Sequence, residues 1–399
     1  MSVNTMNFEQ EAAFLTALYE EATGQKPAIQ IANTADFVSV GTSLIQGSLD
    51  PVIGGLVQIL DRTLFSMRVY GKKFEDIIMD ERLFGAVTQK VNYIDTPLDA
   101  NDDRLPLTDG TSVDPWLIKK QKVFTELFYG STLYQDSITV MRDQLYSAVK
   151  NPDEFGRFIS AMMTNIDNKH KQIEEEQARA CLINFITAKY SADSANAINV
   201  LQAYYDETGV TLTPANMFAP ANYVEFTRWL AAFMQTLVDK MGERSIKYHM
   251  NVTGKEIMRF TDSANMRKYI SDKVLNNIVA VSQSVTYNAD KIGNIADGAN
   301  KVTFWQNIED PYAVQATPAY LNTTTGAIDT AGASVKVENI IGVLFDRDAL
   351  GIVKRSTWSG ASPFNPRGGY YNIYWHWQQT LFNSFTENFV LLYADTVTP

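Results

Sequence analysis

Cysteine occurs once in the 399 residues, at Cys181, so neither an internal disulfide framework nor a zinc site built on several thiolates is available. Histidine occurs three times, at His170, His249 and His376, in separate parts of the chain and in no HExxH arrangement. Positive charge is in deficit: 34 Lys and Arg face 45 Asp and Glu, a formal charge of -11. That balance argues against broad affinity for nucleic acid or anionic membranes. No apolar run approaches the roughly 18 residues of a membrane helix. Residues 1–24 are acidic and lack the basic start and apolar core of a secretory signal, so the chain is expected to be cytosolic where it is made.

Catalytic signatures are missing too. Gly254-Lys255 lacks the earlier glycine and the following Ser or Thr of a phosphate loop, and neither GxGxxG nor GxSxG occurs. Asp346-Arg347-Asp348 has paired carboxylates, but the arginine between them is expected to hold both ionised, as a structural ion-pair corner. His376, flanked by Trp375 and Trp377, reads as the aromatic edge of a core strand rather than a ligand platform. Neither an active site nor a cofactor is read, and no metal.

What is present is an ordinary folded composition, 45% apolar and 20% charged, organised around residues 151–190. Asn151 caps, Pro152 takes the first helical position, and Asp153 and Glu154 sit at the positive end of the helix dipole. Phe155, Ile159, Met162, Ile166 and Ile173 fall on a narrow stripe of helical period. Such a helix runs about 58 Å at 1.5 Å per residue, too long for one compact core. It reads as a spine whose stripe packs on the late strands, notably Phe389. Its polar middle, residues 167–177, is expected to be solvated and held by pairs such as Asp167 with Lys171, in preference to a contact with other copies of the chain.

Before the spine, residues 8–22 read as a short amphipathic helix, then a segment of small residues to Gly55, then a helix or strand over 56–70. Residues 85–94 and 120–130 alternate in strand fashion. Between them lie Pro97, Pro106 and Pro115 with six aspartates and Arg104, dense turn chemistry that makes a long hairpin with an extended tip. A loop of that length serves binding or is disordered. Its aspartates do not follow the calcium-loop spacing. After the spine comes an α+β region to about Gly351. It has a helix from near Pro220 (Tyr223, Phe226, Leu230, Phe233, Leu237, Met241), strands at 274–287, 301–305 and 335–345, and a flexible loop at 322–326. Strand character returns at 368–377 and 389–393, expected to lie beside the spine.

This series of parts resembles the major capsid proteins of tailed bacteriophages, with the Hong Kong 97-type fold. Residues 340–351 look like the strand leaving the axial domain of that family, and 364–375 and 387–393 like its peripheral-domain strands. The resemblance implies an α+β fold with an N-terminal arm (1–75), an extended hairpin loop (76–135), a peripheral domain with the spine helix (136–190), an axial domain (191–350) and return strands of the peripheral domain (351–399). It implies a non-enzymatic subunit that self-assembles through hexamers and pentamers into an icosahedral shell around packaged double-stranded DNA, part of the virion and assembled in the host cytoplasm. A separate scaffolding protein and a portal protein are the implied partners; packaged DNA lies near without being gripped, and no membrane is involved. The hairpin tip would lie over a neighbour, making Pro97, Asp99, Asn101, Asp102, Asp103, Arg104, Pro106, Asp109 and Asp114 the candidate inter-subunit contacts. The alternatives are a bacterial nanocompartment shell of the same fold and a soluble enzyme or glycan-binding protein using the aromatics of 370–377.

Overall fold

The run that opens at Pro152 folds as one helix (Pro152–Ala192, 41 residues), about 60 Å long at 1.5 Å per residue. In chain order it is α3, after α1 (Phe8–Thr23) and α2 (Thr34–Gln46). The computed structural model describes residues 8–46, 52, 74–79, 88–94, 116, 122–144, 152–285 and 295–398. The expected element at 56–70 and the hairpin tip at 95–115 lie outside them.

Two cores hang on the spine, one on each half. On the first half, Met162 and Ile166 enter a cluster with Tyr371, Ile373, Trp375 and Trp377. These four alternate along β14 (Tyr370–Asn383), so the pleat turns all of them inward. The sheet has the order β1-β13-β14-β4, with β1 Ile78–Met79, β4 Thr132–Met141 and β13 Leu350–Ala361. Strand β4, unread in the sequence, shows its signal in Tyr134, Ile138 and Val140, whose side chains join the same core. Helix α1 forms as its spacing predicts and buries Leu15 and Leu18 there. Helix α2 was not expected in that segment of small residues. Phe37, Val40 and Leu44 fall three and four apart and are buried, and the Asn33 side chain accepts from the Asp36 amide at 3.0 Å as a start signal. The N-terminal helices therefore pack on the chain's own sheet and spine.

On the second half, Cys181, Leu182, Phe185 and Ile186 face a five-stranded sheet of order β5-β15-β12-β6-β7. Its strands are Ala197–Asn199, Phe389–Tyr393, Ile340–Asp346, Met266–Ser271 and Ala299–Val302 in that order. Phe389 does pack on the spine, stacked on Phe185 with ring centroids 4.1 Å apart, but it sits in this second sheet and not beside β14. Burial pushes the Cys181 thiol up to about 12, so it is an inert packing group. The other face of this sheet carries α4 (Val200–Thr208), α5 (Tyr223–Gly242) and α6 (Asp272–Val285). Phe226, Leu230, Met234 and Leu237 of α5 meet Ile341, Leu344, Val390 and Leu392. Covered on both faces, β12 is buried along its whole length. A side chain at Gly342 would stand 2.8 Å from the Tyr269 carbonyl of the adjacent strand, so glycine is required there.

Several expectations are corrected. The strand read at 274–287 is helix α6 as far as the described residues go. Val274, Leu275, Ile278 and Val281 are buried on helical spacing, and the strand lies just before it at Met266–Ser271. The strand at 335–345 is two, β11 (Val335–Val337) and β12, broken at Asn339 with φ 51°. The strand read at 301–305 runs Ala299–Val302. The loop at 322–326 is a built turn: Asn322 Oδ1 accepts from the Thr324 and Thr325 amides at 2.9 and 3.1 Å. It joins β9 (Ala319–Leu321) to β10 (Ile328–Thr330). Asp346 is not held ionised by Arg347. It is buried, receives the Asp348 amide at 2.9 Å, and burial pushes its carboxyl above the usual range.

The spine's polar middle is corrected most. Asp167, Lys171, Glu174 and Gln177 are buried, and Glu174 is fully so. The expected Asp167–Lys171 pair forms at 2.5 Å. Glu174 pairs across to Lys354 of β13, and His170 stands 3.6 Å from it. One face of the middle is thus a polar seam between the two apolar cores.

Candidate assembly interface

The two alternating runs before the spine pair as a ribbon, β2 (Thr88–Tyr93) with β3 (Val123–Phe128), in antiparallel register from Thr88 opposite Phe128 to Tyr93 opposite Val123. A two-stranded ribbon has two faces and no sheet to close it. Val91, Tyr93, Val123 and Leu127 lie on the outward face with exposures of 48, 58, 52 and 56%, and Tyr129 follows at 78%. Alternation that would normally hide apolar residues here presents them to the outside.

The inward face grips the body through polar groups. Lys90 and Glu126 are directly opposite in the ribbon. The Lys90 ammonium reaches Glu387 at 2.5 Å and donates to the Ser384 hydroxyl at 3.0 Å. Glu126 accepts from Ser384 at 2.8 Å and from Asn92 at 2.7 Å, and the Thr386 hydroxyl donates to it as well. Arg259 completes the joint: 3.0 Å from Glu387, donating to the Thr386 carbonyl at 3.1 Å and to the Asn92 side chain. Two cations therefore face two carboxylates, with one of each sign on the ribbon and one on the body. Ser384, Thr386 and Glu387 occupy the corner between β14 and β15 and are buried although polar. Charge-assisted bonds at a buried corner are directional and lose much if misaligned.

Beside the joint, Phe128 meets Phe382 at 5.1 Å between centroids, and the Lys255 ammonium lies 5.5 Å from the Phe124 ring. Beneath β3 runs an open groove of about 660 Å³, walled by Phe124, Phe128, Ala180, Cys181, Gly326 and Ile328 among others. Sequence reading found the ribbon but not its anchorage. Lys90, Glu126, Arg259 and Glu387 carry no motif, and the chain order separates them by up to 297 positions (387 minus 90).

The nine tip residues read from the sequence, Pro97, Asp99, Asn101, Asp102, Asp103, Arg104, Pro106, Asp109 and Asp114, lie outside the described residues. On the outer face of the first sheet, His376 stacks on Trp358 with ring centroids 3.7 Å apart, as the aromatic edge expected of it. Its neighbours Trp375 and Trp377 point inward into the core. Buried His249 contacts the Ile257 carbonyl at 2.6 Å and Asn388 at 3.2 Å, and burial above all pushes its pKa below the usual value. Among the described residues no group of three or more His, Cys, Asp or Glu is placed to hold a metal, and no helix is long and apolar enough to cross a membrane.

The fold has solved counterparts. A chain of the capsid structure of Staphylococcus phage Andhra aligns with a TM-score of 0.54 at 12% identity, covering 84% of this chain and 86% of that one. A chain from the structure described as head fiber and inner core protein gp22 of native bacteriophage P68 aligns at 0.53 with 10% identity, covering 82% and 87%. At these identities the likeness is one of fold, and it is the Hong Kong 97-like capsid fold. No curated protein sequence matches the chain. The family model of the Phi29-like phage major capsid protein matches residues 15–393, nearly the whole chain, and favours the phage shell over the compartment and glycan-binding readings. The chain belongs to the Phi29-like phage major capsid protein family, and it is a shell-forming subunit of an icosahedral phage head.

Proposed function

We propose that the ribbon β2–β3, with the segment between its strands, is the arm by which one subunit lies over the next in the shell. The observation that carries this is the outward apolar face of the ribbon, Val91, Tyr93, Val123 and Leu127, which the subunit's own cores leave uncovered. The occupant is a second copy of the chain, because a shell is built of repeated contacts between identical subunits. The tip residues Pro97, Asp99, Asn101, Asp102, Asp103, Arg104, Pro106, Asp109 and Asp114 extend that contact. Residues 191–350 form the axial domain, and the sheet on the first half of the spine is the peripheral one.

The subunit acts by position and not by catalysis. It assembles in the host cytoplasm into hexamers and pentamers with a separate scaffolding protein, and a portal protein joins the shell. The use of residues 8–46 in the subunit's own core supports a scaffold that is a different chain. Multiplied over a shell, -11 per chain makes an acidic container that confines packaged DNA while neutralising few phosphates.

The test shortens the arm. Replacing residues 98–113 by a two-residue Asn-Gly turn, which suits a tight hairpin, should leave a soluble subunit with the parent's thermal transition. Closed particles should fail to form when scaffold is supplied. Normal shells from the shortened chain would make the tip a surface ornament, and failure to fold would place it in the core.

A further inference from the structure

We infer that the four-charge joint at the root of the ribbon is a latch that fixes the angle of the arm and so selects the curvature of the assembled shell. The inference rests on the reading of the ribbon as the inter-subunit arm.

Two kinds of contact hold the ribbon to the body, and they differ in what they specify. The aromatic contact of Phe128 with Phe382 and the approach of Lys255 to Phe124 fall off slowly with small rotations. The groove beneath β3 leaves room for such rotations toward the spine. Apolar contacts beside an open groove would therefore tolerate a range of arm angles. The joint tolerates very little. Glu126 takes donors from Asn92 on its own ribbon and from Ser384 and Thr386 on the body, so its position is triangulated from both sides. Glu387 is likewise shared between Lys90 of the ribbon and Arg259 of the body. A paired, buried network adds little net stability over an apolar substitute of the same shape, but it has one arrangement that satisfies every group. Its value here is orientation.

The position of the latch adds to this. Ser384, Thr386 and Glu387 form the short corner that joins β14 of the first sheet to β15 of the second. Arg259 lies on the loop bridged to Ser245, just after α5. Both sheets thus converge on the root of the arm, so the arm takes its angle from the whole body. In a shell, the angle of an arm lying on a neighbour sets the tilt between subunits, and repeated tilt is curvature.

The experiment is a pulsed spin-label distance measurement between Thr125→Cys and Lys240→Cys, both exposed positions, in the free subunit with buried Cys181 left in place. With the latch intact the distance distribution should be a single narrow peak. In Lys90→Met/Glu387→Gln, which replaces charge by similar volume, it should broaden or split while the thermal transition stays close to that of the labelled parent. Supplied with scaffold, that variant should give particles of mixed diameter. A narrow, unchanged peak in the variant, or a broad one in the parent, overturns the latch. Should the double variant fail to fold, Lys90→Met alone carries the same comparison, because Lys90 is partly exposed and its loss leaves Arg259 on Glu387. The two readings fail separately: normal shells from the chain shortened at 98–113 defeat the arm, whereas an unchanged distance distribution defeats the latch.

Discussion

Lys354 of β13 neutralises Glu174, a carboxylate buried to 0% exposure in the middle of the spine helix. The pair ties the first sheet to the helix at the point where apolar contacts give out between the two cores. Removing one partner of a buried pair leaves a charge without compensation, which costs roughly 3–5 kcal/mol. Lys354→Met is therefore expected to lower the stability of the subunit by that order. Adding Glu174→Leu should restore most of the loss. Urea denaturation of the parent and both variants checks the sign of each step.

The aromatic stack of Phe185 on Phe389 makes a second prediction. Phe185 is fully buried and also meets Phe385 at 4.8 Å, so Phe185→Ala opens a large cavity where spine and second sheet join. Such truncations cost roughly 3–5 kcal/mol. Phe185→Leu should lose much less, and comparison of the two midpoints separates cavity size from ring stacking.

His249 gives the subunit a pH dependence with a definite sign. Its folded pKa lies below the ordinary 6.5, chiefly because burial penalises the charged ring, with Lys189 and Arg259 acting the same way. The Ile257 and Asn388 contacts oppose the shift. The unfolded chain then binds the proton more readily than the folded one. Stability is full above 6.5 and falls as pH drops from 6.5 toward the depressed folded value. Denaturation midpoints at pH 7.5 and 5.5 should differ, and His249→Gln should reduce the difference.

An acidic shell that confines DNA without gripping it predicts weak duplex binding by purified subunits, even at low salt where electrostatic binding is strongest. Fluorescence anisotropy with a labelled duplex tests this. Sub-micromolar affinity with a steep salt slope would reveal a basic patch inside the acidic total.

How far the sequence carried these conclusions differs from element to element. The spine was legible because capping, proline placement and stripe agree over forty residues. The ribbon was legible from its alternation, since period two survives whichever face is buried. The polar seam was not. Asp167, Lys171 and Glu174 look solvated in sequence, and the partner that neutralises buried Glu174, Lys354, lies 180 positions away (354 minus 174). Helix α6 was misread because the β-branched residues Val274, Ile278, Val279 and Val281 imitate a strand until Val274, Leu275, Ile278 and Val281 are seen to share one buried side. Helix α2 was overlooked because Gly41 and several small residues dilute an otherwise regular stripe. The joint at the root of the arm was beyond reach, since four charges scattered over four segments of the chain have no local signature.

The most direct test of the arm is a density map of shells assembled from this subunit with scaffold. The account predicts closed, uniform icosahedral particles in which Val91, Tyr93, Val123 and Leu127 are buried against another copy of the chain. Closed shells in which that face of the ribbon stands free in solvent would contradict it.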